Sequence, residues 1–185
     1  MKFHLKLFFA MIYFFALGEN RLSAQNRSDE NGLYHYEINN LDSIQASEAR
    51  PIVFYIYTDW CVYCRQMKKQ TLNDQSLISV LNKDFYFAKL NAESRSDFRF
   101  ADQEFSFYPS SRESGTNELA IALAAEKGQI SYPALVILNK NNEIIHKELA
   151  DHGIEQEDVN WSEDEEKDGY GALEDFMIKY YNERN

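Results

Sequence analysis

The chain has 185 residues, 44% of them hydrophobic and 15% aromatic, which suits a single domain with a proper core. Its formal charge of −11 argues against nucleic acid and against anionic membrane surfaces as partners. Two cysteines are too few for the framework of a disulfide-rich secreted scaffold.

In chain order, Lys2 and Lys6 precede an unbroken apolar run over residues 7–17, Gly18 ends the run, and small residues lead to Ala24. That layout predicts a secretory signal peptide over residues 1–24, because the run falls short of the roughly 20 residues that a membrane span needs. A retained N-terminal anchor is the alternative. Cleavage would take away Lys2, Lys6, Arg21 and Glu19, so the formal charge would fall from −11 to −13. Residues 25–32 are polar and expected to be disordered, with the folded domain over 33–185. Residues 33–38 read as a short strand, and 40–50 as a helix that stops before Pro51. The run "PIVFYIYT" (51–58) is β-branched and aromatic throughout, the pattern of a central strand buried on both faces. A helix begins near Cys61, a second stretch over 74–83 sets Leu77, Val80 and Leu81 on one side, and 85–92 is a second buried strand.

Residues 98–108 alternate on both sides of the polar tetrapeptide 101–104, which predicts a β-hairpin within an insertion over about 93–116. Phe98, Phe100, Phe105 and Phe107 are expected to decorate the fold rather than complete its core. Residues 116–128 predict a helix capped by Thr116 or Asn117 and ended by Gly128. Residues 131–139 form a third apolar strand, and 144–149 return beside it. The acidic stretch 155–168 reads as a solvated loop, and a last helix aligns Leu173, Phe176, Met177, Tyr180 and Tyr181 as a core-facing stripe. The order β-α-β-α-β-β-α describes an α/β chain with a mixed central sheet, helices on both faces and an inserted β-hairpin.

Both cysteines lie in "TDWCVYCRQMKKQTL" (58–72). A structural staple, half of a metal site and a redox couple compete for the pair. A staple closing so short a loop removes little chain entropy. A structural zinc site wants about four ligands, and His35, His146 and His152 do not sit at a spacing that belongs with this pair. Covalent haem attachment wants His after the second Cys, where Arg65 stands. Residues three apart at the start of a helix face one another about 5–6 Å apart, within reach of a disulfide that opens and closes in place. The helix N-terminus favours a thiolate at Cys61, which is also expected to lie at the surface, with Cys64 one turn deeper. Cys61 is therefore the expected attacking thiol and Cys64 the resolving one.

"WCVYC" after the strand 51–58, together with "SYPALVIL", resembles the thioredoxin superfamily over nearly all of the chain after residue 24. More narrowly, residues 57–78 look like the periplasmic thioredoxin-like domain of thiol:disulfide interchange reductases. The resemblance implies a thioredoxin-like fold in which Pro133 is cis and lies against the disulfide, and Trp60 shields it. Trp60, Val62, Tyr63, Tyr132 and Pro133 are then the candidate client contacts, with no cofactor and no metal. Many thioredoxins carry a buried Asp six residues before the first Cys, where this chain has Tyr55. Val62–Tyr63 matches neither the Gly-Pro of thioredoxin nor the Pro-His of strong periplasmic oxidants, and Tyr132 is bulkier than the usual residue before the proline.

With export expected from residues 1–24, the resemblance implies a thiol:disulfide oxidoreductase working in the reducing direction on client proteins, fed by a membrane electron donor. It would be periplasmic in a Gram-negative source, monomeric, without a nucleic-acid partner and without stable membrane insertion once the leader is removed. The competing reading is a non-catalytic module of the same fold that binds a peptide or protein with its disulfide permanently closed.

Overall fold

The computed structural model describes residues 26–150. The expected leader, the acidic stretch 155–168, His152 and the closing helix lie outside the described residues. Ten strands and four α-helices are described: β1 Asn26–Ser28, β2 Tyr34–Tyr36, α1 Leu41–Ser47, β3 Ile52–Tyr57, α2 Val62–Lys69, α3 Gln75–Asp84, β4 Tyr86–Asn91, β5 Phe98–Phe100, β6 Gln103–Phe105, β7 Phe107–Pro109, β8 Gly115–Asn117, α4 Glu118–Ala124, β9 Ala134–Leu138 and β10 Ile144–Leu149. None of the described helices is long and apolar enough to cross a membrane.

The main sheet runs β10-β9-β3-β4. β3 pairs in parallel with β4 (Ile52↔Tyr86 to Tyr57↔Asn91) and antiparallel with β9 (Ile52↔Leu138 to Ile56↔Ala134), so the sheet is mixed, as the sequence predicts. Residues Ile52 to Ile56 of β3 are all buried, because side chains alternate between two covered faces. Ile52, Phe54 and Ile56 meet α1 and α4 through Leu41, Ile44, Leu119 and Leu123. Val53 and Tyr55 join the opposite core, with Met67 of α2 and Leu77, Ile78 and Leu81 of α3. In α3 the buried stripe includes Ile78, while Val80 is only partly buried, a small rotation from the expected face. Asp74 caps α3 by accepting the Leu77 N–H at 2.9 Å, satisfying one of its orphan amides.

Three expectations are corrected. Residues 26–28, expected to be disordered, form β1 and pair with β2 (Asn26↔Tyr36 to Ser28↔Tyr34). Tertiary anchors explain the order. Leu33 is buried in the α2/α3 core, Asn31 Nδ2 donates to the Leu72 carbonyl at 2.7 Å, and Asn82 bonds both Tyr34 N and Gly32 O.

The insertion does complete the core. Phe100 is only 3% exposed and sits edge-on to Phe54 at 5.3 Å, and Phe98 and Phe105 pack against the same cluster. Phe107 lies outside it, half-buried under the Arg95 guanidinium. The hairpin turn uses only Ala101 and Asp102, both at positive φ as the tightest hairpin turns require. The Asp42 carboxylate accepts from both of their N–H groups. A second hairpin, β7–β8, follows.

The helix expected over 116–128 is shorter at both ends. Residues Gly115–Asn117 pair with β7, and Asn117 caps α4 by accepting the Leu119 N–H at 3.0 Å. Beyond Ala124 the chain turns through Lys127 and Gly128, both at positive φ, and Glu126 pairs with Gln129.

Candidate active site

The turn between β3 and α2 carries the cysteines. Thr58, at the end of the central strand, is buried, and its carbonyl accepts the Cys61 N–H at 3.3 Å. Cys61 is the N-cap of α2, in extended conformation (φ −67°, ψ 113°), and its Sγ accepts the Cys64 N–H at 3.0 Å. The two sulfurs are joined as a disulfide across a Cα–Cα distance of 5.3 Å. A sulfur that caps a helix N-terminus faces both its unpaired amides and the positive end of its dipole.

The expected contrast in exposure is not observed. Cys61 is 3% and Cys64 2% exposed, so the two differ by position on α2 rather than by access. The exposed side chains are their neighbours, Trp60 at 63%, Val62 at 62% and Tyr63 at 44%. A strand entering a helix buries its cap residue against the sheet and leaves the flanking side chains outside.

Trp60 is held by two contacts that the sequence does not announce. Its Nε1 donates to Glu93 Oε1 at 2.9 Å, and its ring meets the Tyr132 ring edge-on at 6.0 Å. Tyr132 is half-buried against the α2/α3 core, which also contains both cysteines. Burial, with the Glu93 charge nearby, pushes the Tyr132 phenol up to about 12, so it stays neutral at any physiological pH. The Tyr132–Pro133 peptide bond is cis, and Pro133 is buried. The β9 ladder begins at Ala134, one residue later. The structure therefore brings Trp60, Tyr132 and the disulfide together, with Val62 and Tyr63 exposed on the first turn of α2.

Beneath the pair, the Tyr55 hydroxyl donates to the Cys64 carbonyl at 2.8 Å, and its ring stacks on Tyr57 at 5.4 Å. Arg65 Nη1 donates to the Asp59 carbonyl at 3.1 Å, and Asn91 Nδ2 to the Asp59 carboxylate at 3.0 Å, which stiffens the turn. Glu93 and Asn91 lie about thirty residues from their partners, as the contacts at |i−j| of 33 and 32 show, and no local spacing signals them.

No curated protein matches the chain. Among solved structures, it is similar to the DsbH oxidoreductase at 13% identity and a TM-score of 0.44, over 74% of this chain and 83% of that one. A thioredoxin-fold protein from Helicobacter pylori is 20% identical with a TM-score of 0.40, over 54% of this chain; this chain spans 58% of that protein's length. A thioredoxin from Thermus thermophilus is 22% identical with a TM-score of 0.37, over 58% of this chain and 66% of the other. A family model described as a thioredoxin-like domain matches residues 39–150, from the turn before α1 to the end of β10. That match covers more than half of the chain and takes in the main sheet, all four described helices and the disulfide turn, and by it the chain belongs to the thioredoxin-like domain family.

Proposed function

We propose that the protein is an exported thiol:disulfide oxidoreductase that exchanges disulfides with client proteins through Cys61 and Cys64, in the reducing direction. The observation that carries this reading is the capping geometry: the sulfur of Cys61 caps the start of α2 and accepts the Cys64 amide at 3.0 Å. After reduction the same amide and the helix end favour a Cys61 thiolate, the form that attacks disulfides. Cys61 takes up the client sulfur, and Cys64 attacks Cys61 to release it, closing the internal disulfide. Trp60, Val62, Tyr63 and Tyr132 offer the client an aromatic and apolar rim, and the Tyr132 backbone, outside the β9 ladder, is available to an extended peptide as an added strand. Pro133, buried and joined to Tyr132 by the cis bond, would complete this rim. Export is supported by the basic, apolar and small-residue layout of residues 1–24. The reducing direction rests on the resemblance of residues 57–78 to reductant-relay domains, and a membrane electron donor would reload the dithiol.

One observation favours the second reading, a binding module with a closed structural disulfide: neither cysteine is more than 3% exposed. The reduction potential separates the two. A value of about −120 to −270 mV belongs to working exchange proteins, whereas a value well below about −300 mV belongs to a structural bond. Single variants then test the roles. Cys64→Ser should trap mixed disulfides with clients in the native compartment, and Cys61→Ser should trap none. Faster alkylation of Cys61→Ser than of Cys64→Ser near neutral pH would reverse the assignment.

A further inference from the structure

The resolving step raises a proton question. Cys64 is buried, and its thiol must lose a proton before it can attack Cys61. Its neighbour from β3 is Tyr55, whose hydroxyl is spent on the Cys64 carbonyl. A cleft of about 560 Å³ reaches the helix here, walled by Cys64, Arg65 and Lys68 of α2, by Tyr55 and Tyr57 of β3, and by His35 and Lys89.

His35 belongs to the β1–β2 arm, which lies wholly before residue 39, where the family match begins. The arm also brings Asp29, whose carboxylate oxygens accept from Lys89 Nζ at 2.6 and 2.9 Å. His35 Nδ1 lies 3.6 Å from the same carboxylate, and among the described residues this nitrogen has no hydrogen-bond partner. Lys89 sits on β4 directly across from Tyr55. The arm, β4 and β3 thus set His35, Lys89 and Tyr55 around the cleft that Cys64 also lines.

We infer that the arm supplies the proton acceptor for Cys64, with His35 as the base and the Asp29–Lys89 pair as the group that positions it. The inference rests on the exchange reading above. In the step, His35 takes the Cys64 thiol proton through water in the cleft, and the Cys64 sulfur attacks the Cys61 sulfur. The Cys61–client S–S bond breaks, its electron pair leaves on the client sulfur as a thiolate, and the Cys61–Cys64 bond forms. The client is reduced and the dithiol oxidised.

His35 suits the task because burial and the Lys89 charge hold its imidazole below the ordinary value, so it is neutral and able to accept a proton at pH 7. Asp29 and Glu37 oppose that shift, and Arg27 adds to it. Across the cleft it faces Asp59, Arg65 and Lys68. Glu37 and Asp59 also line the cleft, but a carboxylate is by nature a weaker base toward a thiol than an imidazole.

The test follows reduced full-length protein mixed with an aromatic chromogenic disulfide, dithionitrobenzoate, by stopped flow between pH 5 and 9. The first release of chromophore reports attack by Cys61, and the second reports resolution by Cys64. His35→Gln should slow the second release about tenfold or more at pH 7. It should also move the pH dependence of that release up toward the free-thiol range of about 8.5. Asp29→Asn should move the midpoint of the second release to lower pH, since the carboxylate raises the imidazole. A second release unchanged in rate and pH profile in His35→Gln, with the first release intact, would overturn the inference. So would a larger loss in Asp59→Asn. If His35→Gln does not fold, an unmoved midpoint in Asp29→Asn overturns it. Absence of the first release in the unaltered chain would overturn the exchange reading itself.

Discussion

Tyr55 stands six residues before Cys61, in the core beneath α2. Here the side chain is 3% exposed, stacked between Tyr57 and Phe87, with its hydroxyl on the Cys64 carbonyl. That carbonyl lies in the first turn of α2, so the bond ties the central strand to the turn that carries the disulfide. The carbonyl also belongs to the ladder of α2, so removing the donor costs about 0.5–1.5 kcal/mol, the net contribution of one hydrogen bond. Tyr55→Phe is therefore expected to lower the urea midpoint by that equivalent with an unchanged slope, while the first turn of α2 becomes easier to open. Faster amide exchange confined to residues 61–65 would report the second effect. A midpoint within experimental error of the unaltered protein would show that the bond to the Cys64 carbonyl contributes no net stability.

At the level of elements, the insertion is where local pattern and tertiary role diverge. β5 and β6 are three residues each, too short to hold themselves together in water. They persist because Phe100 enters the core beside Phe54 and because Asp42 of α1 pins the turn. Asn117 closes the other end. Its side chain, fully buried, caps α4 and donates to the Ser94 and Ser96 carbonyls at 3.3 and 3.0 Å. The segment after β4 is thereby fastened at both ends to the same core face as α1 and α4. Truncating one fully buried phenylalanine costs about 3–5 kcal/mol in well-packed cores. Phe100→Ala should therefore lose that much in denaturant unfolding. Tyr108→Ala on the neighbouring hairpin, 61% exposed, should change stability by no more than about 0.5 kcal/mol. Equal effects from the two would mean that the insertion is a separate unit.

For the whole molecule, stability should depend on pH through groups held off their ordinary values by burial. Desolvation lowers both His35 and His146, with Lys89 adding to the effect at His35. In the window below about 6.5 the unfolded chain takes up these protons before the folded one does, so stability is full above that pH and is lost as the pH falls. Glu148, raised by burial, acts in the opposite direction. Its folded form holds a proton above the ordinary 4.5, so its contribution is present at low pH and lost as the pH rises through its raised value. His146→Gln should flatten the fall of the urea midpoint between pH 7.5 and 5.5. An unaltered slope would assign the acid sensitivity to other groups.

Much of this arrangement is legible in local chemistry. The unbroken apolar run at 51–58 demanded a strand with both faces covered, because a chain that alternates side chains cannot bury such a run any other way. Two cysteines three apart after that strand demanded a sulfur at a helix start, and the pair Thr116–Asn117 marked the start of α4 by its capping chemistry, with Asn117 as the cap in the fold. What local pattern could not decide was everything carried by long-range contact. Residues 26–28 are polar and carry no hydrophobic period, and they are ordered by Leu33, Asn82 and Asp29 against partners tens of residues away. Phe100 looks like any alternating aromatic until Phe54 is placed beside it, and Glu93 has no signature until Trp60 reaches it. The burial of Cys61 also came from tertiary packing, because exposure depends on what the sheet and Tyr132 lay over a residue and not on its place in a helix. Periodicity and capping are encoded within a few residues of one another, whereas burial, charge pairing and access are set by the sum of distant neighbours, which only the folded chain brings together.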